Sequence, residues 1–281
     1  MAAARGLGLL CVSLFCRDVS ARGTPIDGSP AELRRRCPAE RLPAGEHEVT
    51  LQVAAGNGEI QERRIFVHVP EGMPEDQEQP ALVSWHGCGS TVGPPWPDFQ
   101  VGTELNEATA ARQWYNIYPL GTAREGGTLG WNAGPGLSTC QTDPNTDDVA
   151  FARAIFDWMP QHLCVDPRRV FAMGFSNGGA MAFRLQCEFS EVLRAVSVTG
   201  MRIARAWAPG TELCQPTRRI PIVNFCGDQD SICEGSTQGG FSQEELMALT
   251  AADQGCSTAV SKRRYALCPR RTWTLCGCFR V

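Results

Sequence analysis

A chain of 281 residues, 43% apolar and 20% charged, can bury a sizeable core and is neither disordered nor fibrous. A net charge of −4 argues against a nucleic-acid face, and no apolar run approaches the ~20 residues that span a bilayer. Charge is uneven, with −10 over residues 1–253 and +6 over 254–281, which marks either a basic interaction tail or, the reading preferred here, a segment foreign to the ordinary fold.

The N-terminus reads Met1-Ala-Ala-Ala-Arg5, then an apolar stretch from Gly6 to Cys16, then Val19-Ser20-Ala21. A charged start, an ~11-residue apolar run and a small-x-small exit predict a secretory leader over 1–21. Residues 22–45 are polar and rich in Pro and Gly, a lead-in. Strands are expected at Glu48–Val53 and Arg64–Val69, the second alternating apolar with polar residues. Ala81–Trp85 is a compact apolar run, as a strand covered on both faces requires, and it enters the turn sequence His86-Gly87-Cys88-Gly89-Ser90.

Further on, Trp114–Leu120 reads as a strand, and Asp147–Met159 as a helix with apolar residues at helical spacing and an acidic first turn. Val170–Met173 is a short strand after the turn Asp166-Pro167. Asn177–Glu188 is a helix, while Ala195–Thr199 and Ile220–Cys226 are strands. Ser242–Ala252 is a helix with Ser242 as N-cap and Glu245 three residues on. Strands alternating with helices predict an α/β fold, a mostly parallel sheet covered by helices on both faces, with ligands at the carboxyl ends of the strands. The expected domain is 46–256, followed by a basic, Cys-rich tail over 257–281.

Fourteen cysteines fit an oxidising compartment once Cys11 and Cys16 leave with the leader. A zinc site is the rival reading, but the one tight pair, Cys276-Gly-Cys278, has no second pair or histidine at ligand spacing. Disulfides are therefore expected, and no metal. G-x-G-x-x-G is absent, so no cofactor is expected either.

Gly174-Phe175-Ser176-Asn177-Gly178-Gly179 matches G-x-S-x-G between a short apolar strand and a helix, the context in which that motif has a mechanism. A tight strand-to-helix turn presents the middle hydroxyl above the sheet, and the flanking glycines relieve its crowding. Ser176 is the candidate nucleophile. Backbone N–H groups of Asn177 and Cys88 are the candidate oxyanion donors. His86 is read as a structural hydrogen-bonder of its loop. The acid is expected after a later strand, where Asp230 is preferred and Asp228 is the alternative. The base is the difficulty: His47, His68, His86 and His162 all precede Ser176, whereas this chemistry on this fold takes the order Ser, Asp, His.

Several blocks together resemble the secreted α/β-hydrolase esterases that include feruloyl esterases, acetylxylan esterases and polyhydroxybutyrate-depolymerase-like enzymes. They are Leu42-Pro43-Ala44-Gly45, Arg64 through Pro70, His86-Gly87-Cys88-Gly89, Gly130-Trp131-Asn132-Ala133-Gly134, Asp147-Asp148-Val149, and Cys164 through Val170 leading into the Ser176 elbow. The resemblance covers roughly residues 37–256. It implies Ser176 as nucleophile, Asp230 as acid, Trp131 near the substrate and a Cys256–Cys268 pair. It also implies a last strand followed by a Gly-Gly-His-Thr-Trp-like segment. The pattern departs between Ala259 and Cys268, and Arg270-Arg271-Thr272-Trp273 stands where the histidine is expected.

The expectation is thus a secreted, monomeric serine esterase acting on feruloyl or acetyl esters of plant polysaccharide, on small esters or on related polyesters, with no nucleic-acid or membrane partner. The alternatives are a catalytically inactive form or binding remnant of that family, and an α/β-hydrolase peptidase.

Overall fold

The computed structural model describes residues 8–13, 37–89, 104–123, 127–137, 140, 143, 145–201, 203–208, 210–227, 230, 232, 240–253 and 261–266. Nine strands form one sheet: β1 (Gly8–Ser13), β2 (Gly45–Ala54), β3 (Ile60–Val69), β4 (Gln79–Trp85), β5 (Tyr115–Pro119), β6 (Val165–Phe175), β7 (Ala195–Thr199), β8 (Ile222–Gly227) and β9 (Ser261–Ala266). The order across it is β2-β3-β5-β4-β6-β7-β8-β1-β9. The centre, β5-β4-β6-β7-β8, is parallel throughout, and the strands flanking it pair antiparallel. The helices are α1 (Leu105–Ala110), α2 (Asp148–His162), α3 (Asn177–Glu188) and α4 (Gln243–Asp253).

Period-2 alternation decides what each face buries. In β3, Ile65 and Val67 join the main core with α2 and α3, while Phe66 between them joins a second cluster with Leu82, Tyr118, Met173 and Leu105 of α1. Helices therefore cover both faces, and β4 between its two parallel neighbours is buried at all seven positions. Local signals set the helix ends. Asp147 accepts the Ala150 N–H at 2.9 Å and caps α2. Before α4, the Ser242 hydroxyl accepts the Glu245 N–H at 3.2 Å, and the Glu245 carboxylate accepts the Ser242 N–H at 2.8 Å.

Three elements differ from expectation. The Asp166-Pro167 turn lies inside β6, not before it. Val165 pairs with Gln79 and Val170 with Ala81, so four residues of β6 bulge where β4 spends one, and Pro167 owes no ladder hydrogen bond there. Asp166 organises the bulge, accepting the Arg168 N–H at 2.9 Å and the Arg169 guanidinium at 2.8 Å. Burial alone would raise its pKa, but these hydrogen bonds outweigh it and hold the carboxyl below its ordinary value of 3.8. Second, α2 runs on through Pro160 to His162. Third, α1 was not foreseen; it is six residues long and its N-cap, Glu104, is left-handed with no capping side chain.

The apolar run read as a leader supplies β1, which lies between β8 and β9, and the segment read as a foreign tail supplies β9. The place next to β8 is thus held by the antiparallel β1. Disulfides join Cys37–Cys164, Cys88–Cys140 and Cys187–Cys214, and Cys226 is also disulfide-bonded. The Cys256–Cys268 pair and Asp228 lie outside the described residues. No described helix is long and apolar enough to cross a membrane.

Candidate active site

The elbow follows from the glycines around it. β6 ends at Phe175 and α3 starts at Asn177, which leaves Ser176 at φ 53° and ψ −124°, a region that costs a non-glycine residue about 1–3 kcal/mol. Its backbone is pinned on both sides: its N–H donates to Thr199 O at 2.8 Å, and its carbonyl accepts Ala180 N–H at 3.1 Å. A Cβ on Gly174 would fall 2.0 Å from Gly178 O, and one on Gly178 would fall 2.1 Å from Trp85 O, so only glycine fits at either place. Ser176 is half-buried at the carboxyl edge of the sheet, and its hydroxyl makes no hydrogen bond among the described residues.

The His86–Gly89 loop leaves β4 level with the elbow, since Trp85 is in register with Gly174. A Cβ on Gly87 would lie 3.4 Å from Ser176 Cβ, which puts the loop in contact range of the nucleophile. Gly89 N–H donates to Leu129 O at 2.9 Å, and the Cys88–Cys140 disulfide ties the same turn down. Asn177, as the first residue of α3, has no intrahelical acceptor for its N–H. Its side chain, with no exposed surface, faces Trp131 of the Gly130–Gly134 stretch. Trp131 N–H donates to Asn177 Oδ1 at 2.6 Å, and Asn177 Nδ2 donates to Trp131 O at 3.1 Å. The next residue is held as firmly: Asn132 N–H donates to Asp148 Oδ2 at 2.6 Å, while Asp148 Oδ1 takes the Arg63 guanidinium at 2.7 Å in a buried ion pair.

All four histidines are described, and none serves Ser176. His86 Nε2 accepts Gly121 N–H at 2.9 Å, which leaves Nδ1 as the protonated nitrogen donating to Gly87 O at 2.7 Å. His47 bonds Pro43 O, His68 bonds the Glu46 carboxylate, and His162 bonds Trp158 O and stacks on that indole. Asp230 is half-buried beyond the end of β8, where its Oδ1 accepts Ile232 N–H at 2.9 Å.

Trp131, expected near the substrate, is enclosed in this structure. It has no exposed surface; its indole packs edge-on against Trp85 and donates to His86 O at 2.7 Å. Trp131 thus packs behind the His86–Gly89 loop. Sequence reasoning used only the backbone of Asn177 and missed its carboxamide, along with the Arg63–Asp148 pair. The one available signal was the joint occurrence of Gly-Trp-Asn, Asp-Asp-Val and Ser-Asn-Gly blocks with no catalytic use for Trp, Asn or the second Asp.

Counted from β2, the strand order is 1-2-4-3-5-6-7 with a serine elbow after the fifth strand, and that defines an α/β-hydrolase. No family model matches the chain. It is 30% identical over 181 residues to feruloyl esterase B of Piromyces equi, covering 64% of this chain and 31% of that protein. It is 30% identical over 209 residues to the putative esterase NocK of Nocardia uniformis subsp. tsuyamanensis, covering 74% and 56%. Among solved structures, the acetyl xylan esterase from Aspergillus awamori aligns over 74% of this chain and 66% of its own, at 15% identity and a TM-score of 0.44. The chain has the fold of the α/β-hydrolases, and these curated relatives are a feruloyl esterase and a putative esterase. It spans between about a third and just over half of the length of these two curated relatives.

Proposed function

We propose that this chain is a secreted serine esterase for feruloyl or acetyl esters of plant polysaccharide, or for related polyesters, with Ser176 as nucleophile. The observation that carries the reading is the strained Ser176 elbow with the His86–Gly89 loop packed against it. Ser176 Oγ attacks the ester carbonyl as its proton passes to solvent and from there to the leaving alkoxide, and the N–H groups of Cys88 and Asn177 receive the oxyanion. The alcohol leaves, and water releases the acid from the acyl-serine. Asp230 is the proposed acid. Secretion is supported by the disulfides, which persist in oxidising compartments. The test is hydrolysis of a chromogenic acetate, a feruloyl ester and a peptide anilide by the full chain and by Ser176→Ala. Activity equal in both would overturn the assignment, and peptide cleavage would make the chain a peptidase.

A second reading rests on one observation, that both ring nitrogens of His86 are occupied and the other three histidines bond elsewhere. In it, the chain binds esters but turns them over poorly, because the serine proton has no imidazole to go to. Loss of a triad member leaves only ~10³–10⁴-fold catalysis over water. Added imidazole discriminates. A hydrolysis rate that climbs with free imidazole in the full chain, but not in Ser176→Ala, supports the second reading. Fast turnover without imidazole excludes it.

A further inference from the structure

Phe175, the residue before the nucleophile, is 42% exposed, and it is the one large apolar side chain exposed beside the elbow among the described residues. Single exposed hydrophobics are ordinary on a protein surface. This one is held in place. A Cβ on Gly87 would meet Phe175 Cδ1 at 3.1 Å, and a Cβ on Gly200, which has φ +61°, would meet Cε2 at 2.9 Å. The ring is therefore lodged between the oxyanion loop on one flank and the end of β7 on the other, with glycine at both seats. Backbone pairing fixes its base, since Phe175 stands in register with Thr199. Among the described residues no aromatic ring stacks on it. The Phe175 ring is a rigid apolar surface one residue from Ser176, open to a molecule bound there.

We propose that Phe175 is a specificity-determining residue whose ring stacks on the aromatic acyl group of the ester and favours feruloyl over acetyl substrates. This rests on the reading of Ser176 as an ester-attacking serine. Aromatic pairs gain ~0.5–1.5 kcal/mol beyond area burial, and the lost apolar contact adds to that.

The test is equilibrium binding of methyl ferulate and of an acetylated xylo-oligosaccharide to the full chain carrying Ser176→Ala, which holds esters without turnover. Phe175→Ala and Phe175→Leu are added to that background. Leucine keeps apolar bulk on the two glycines, so it preserves the fold if alanine does not. The expected result is about tenfold weaker methyl ferulate binding in Phe175→Leu, with acetylated xylo-oligosaccharide binding and the unfolding midpoint unchanged. Unchanged ferulate binding overturns the proposal. An equal loss for both esters overturns it too and makes the ring a support of the elbow. A loss confined to the oligosaccharide assigns the ring to sugar instead. If no chain binds either ester at millimolar concentration, the esterase reading falls along with it, an outcome distinct from binding that ignores Phe175.

Discussion

Removing the carboxamide of Asn177 separates the support of the site from its chemistry, because the backbone N–H proposed for the oxyanion stays. In Asn177→Ala, Trp131 loses the acceptor of its N–H at 2.6 Å and the donor to its carbonyl at 3.1 Å, both where no water reaches. A buried group left unpaired costs about 1–3 kcal/mol, so two cost about 2–6 kcal/mol, a large part of the ~5–15 kcal/mol that holds a domain together. Asn177→Asp keeps the acceptor but replaces the donor with an oxygen facing Trp131 O. The introduced carboxylate has no exposure to solvent, so burial raises its folded pKa above the unfolded value of ~3.9. A raised folded pKa lends stability below the unfolded pKa and loses it as pH rises through the folded one. The Asp variant should therefore be the weaker of the two near neutral pH and should recover toward the Ala variant as pH approaches about 4.

Urea unfolding followed by tryptophan fluorescence, at several pH values, measures both effects. Phosphonylation of Ser176 by an alkyl fluorophosphonate reports the loop, and it should slow in both variants. A loss under about 1 kcal/mol in Asn177→Ala, or an Asp penalty that ignores pH, would refute the clamp.

Ser176→Gly should be about 1 kcal/mol more stable than Ser176→Ala, because release of the strain at φ 53° exceeds the extra flexibility of glycine in the unfolded chain; side-by-side urea titrations check it. Asp148→Leu or Arg63→Met alone should cost ~3–5 kcal/mol by stranding a buried charge, while the double variant should regain most of it, as thermal unfolding of the three chains will show. The lowered pKa of Asp166 means that its contribution is present above its unfolded value and is lost as pH falls through the folded one. The stability gap between the parent chain and Asp166→Asn should accordingly be full at neutral pH and close below about pH 3.8, as measured by acid titration of the unfolding midpoint.

Period and punctuation made most of the sheet legible in the sequence. The uniform apolarity of Ala81–Trp85 marked a strand buried on both faces, and Ser242 with Glu245 marked a helix start that the structure closes with two reciprocal hydrogen bonds. The G-x-S-x-G elbow was legible because its glycines answer to backbone atoms a few residues away or on the next strand. What stayed hidden depends on partners far along the chain. Asn177 and Trp131 are 46 residues apart, and Arg63 and Asp148 are 85 apart, so neither pair leaves a local signature. The enclosure of Trp131 stayed hidden for the same reason, since nothing near it in sequence says that Trp85 and the His86 carbonyl surround it. The Asp166-Pro167 turn was misplaced because a proline in a bulge looks, in sequence, like a proline that ends a strand.

The histidines show the two kinds of information meeting. Order along the chain says that no histidine follows the nucleophile, and chain order alone leaves room for an upstream one to substitute. His86 is the natural candidate, since its loop packs against Ser176. The structure removes it on hydrogen-bonding grounds: a base must offer a lone pair toward the serine, and the only lone pair of this neutral ring already accepts Gly121 N–H. Turning the ring toward Ser176 would strand that buried N–H and give up the bond to Gly87 O, and it would loosen the loop that carries the proposed oxyanion donor. Substitution by His86 would thus weaken the proposed oxyanion site to supply the base. The same hydrogen bonds that hold the loop against Ser176 keep its histidine from acting as the base.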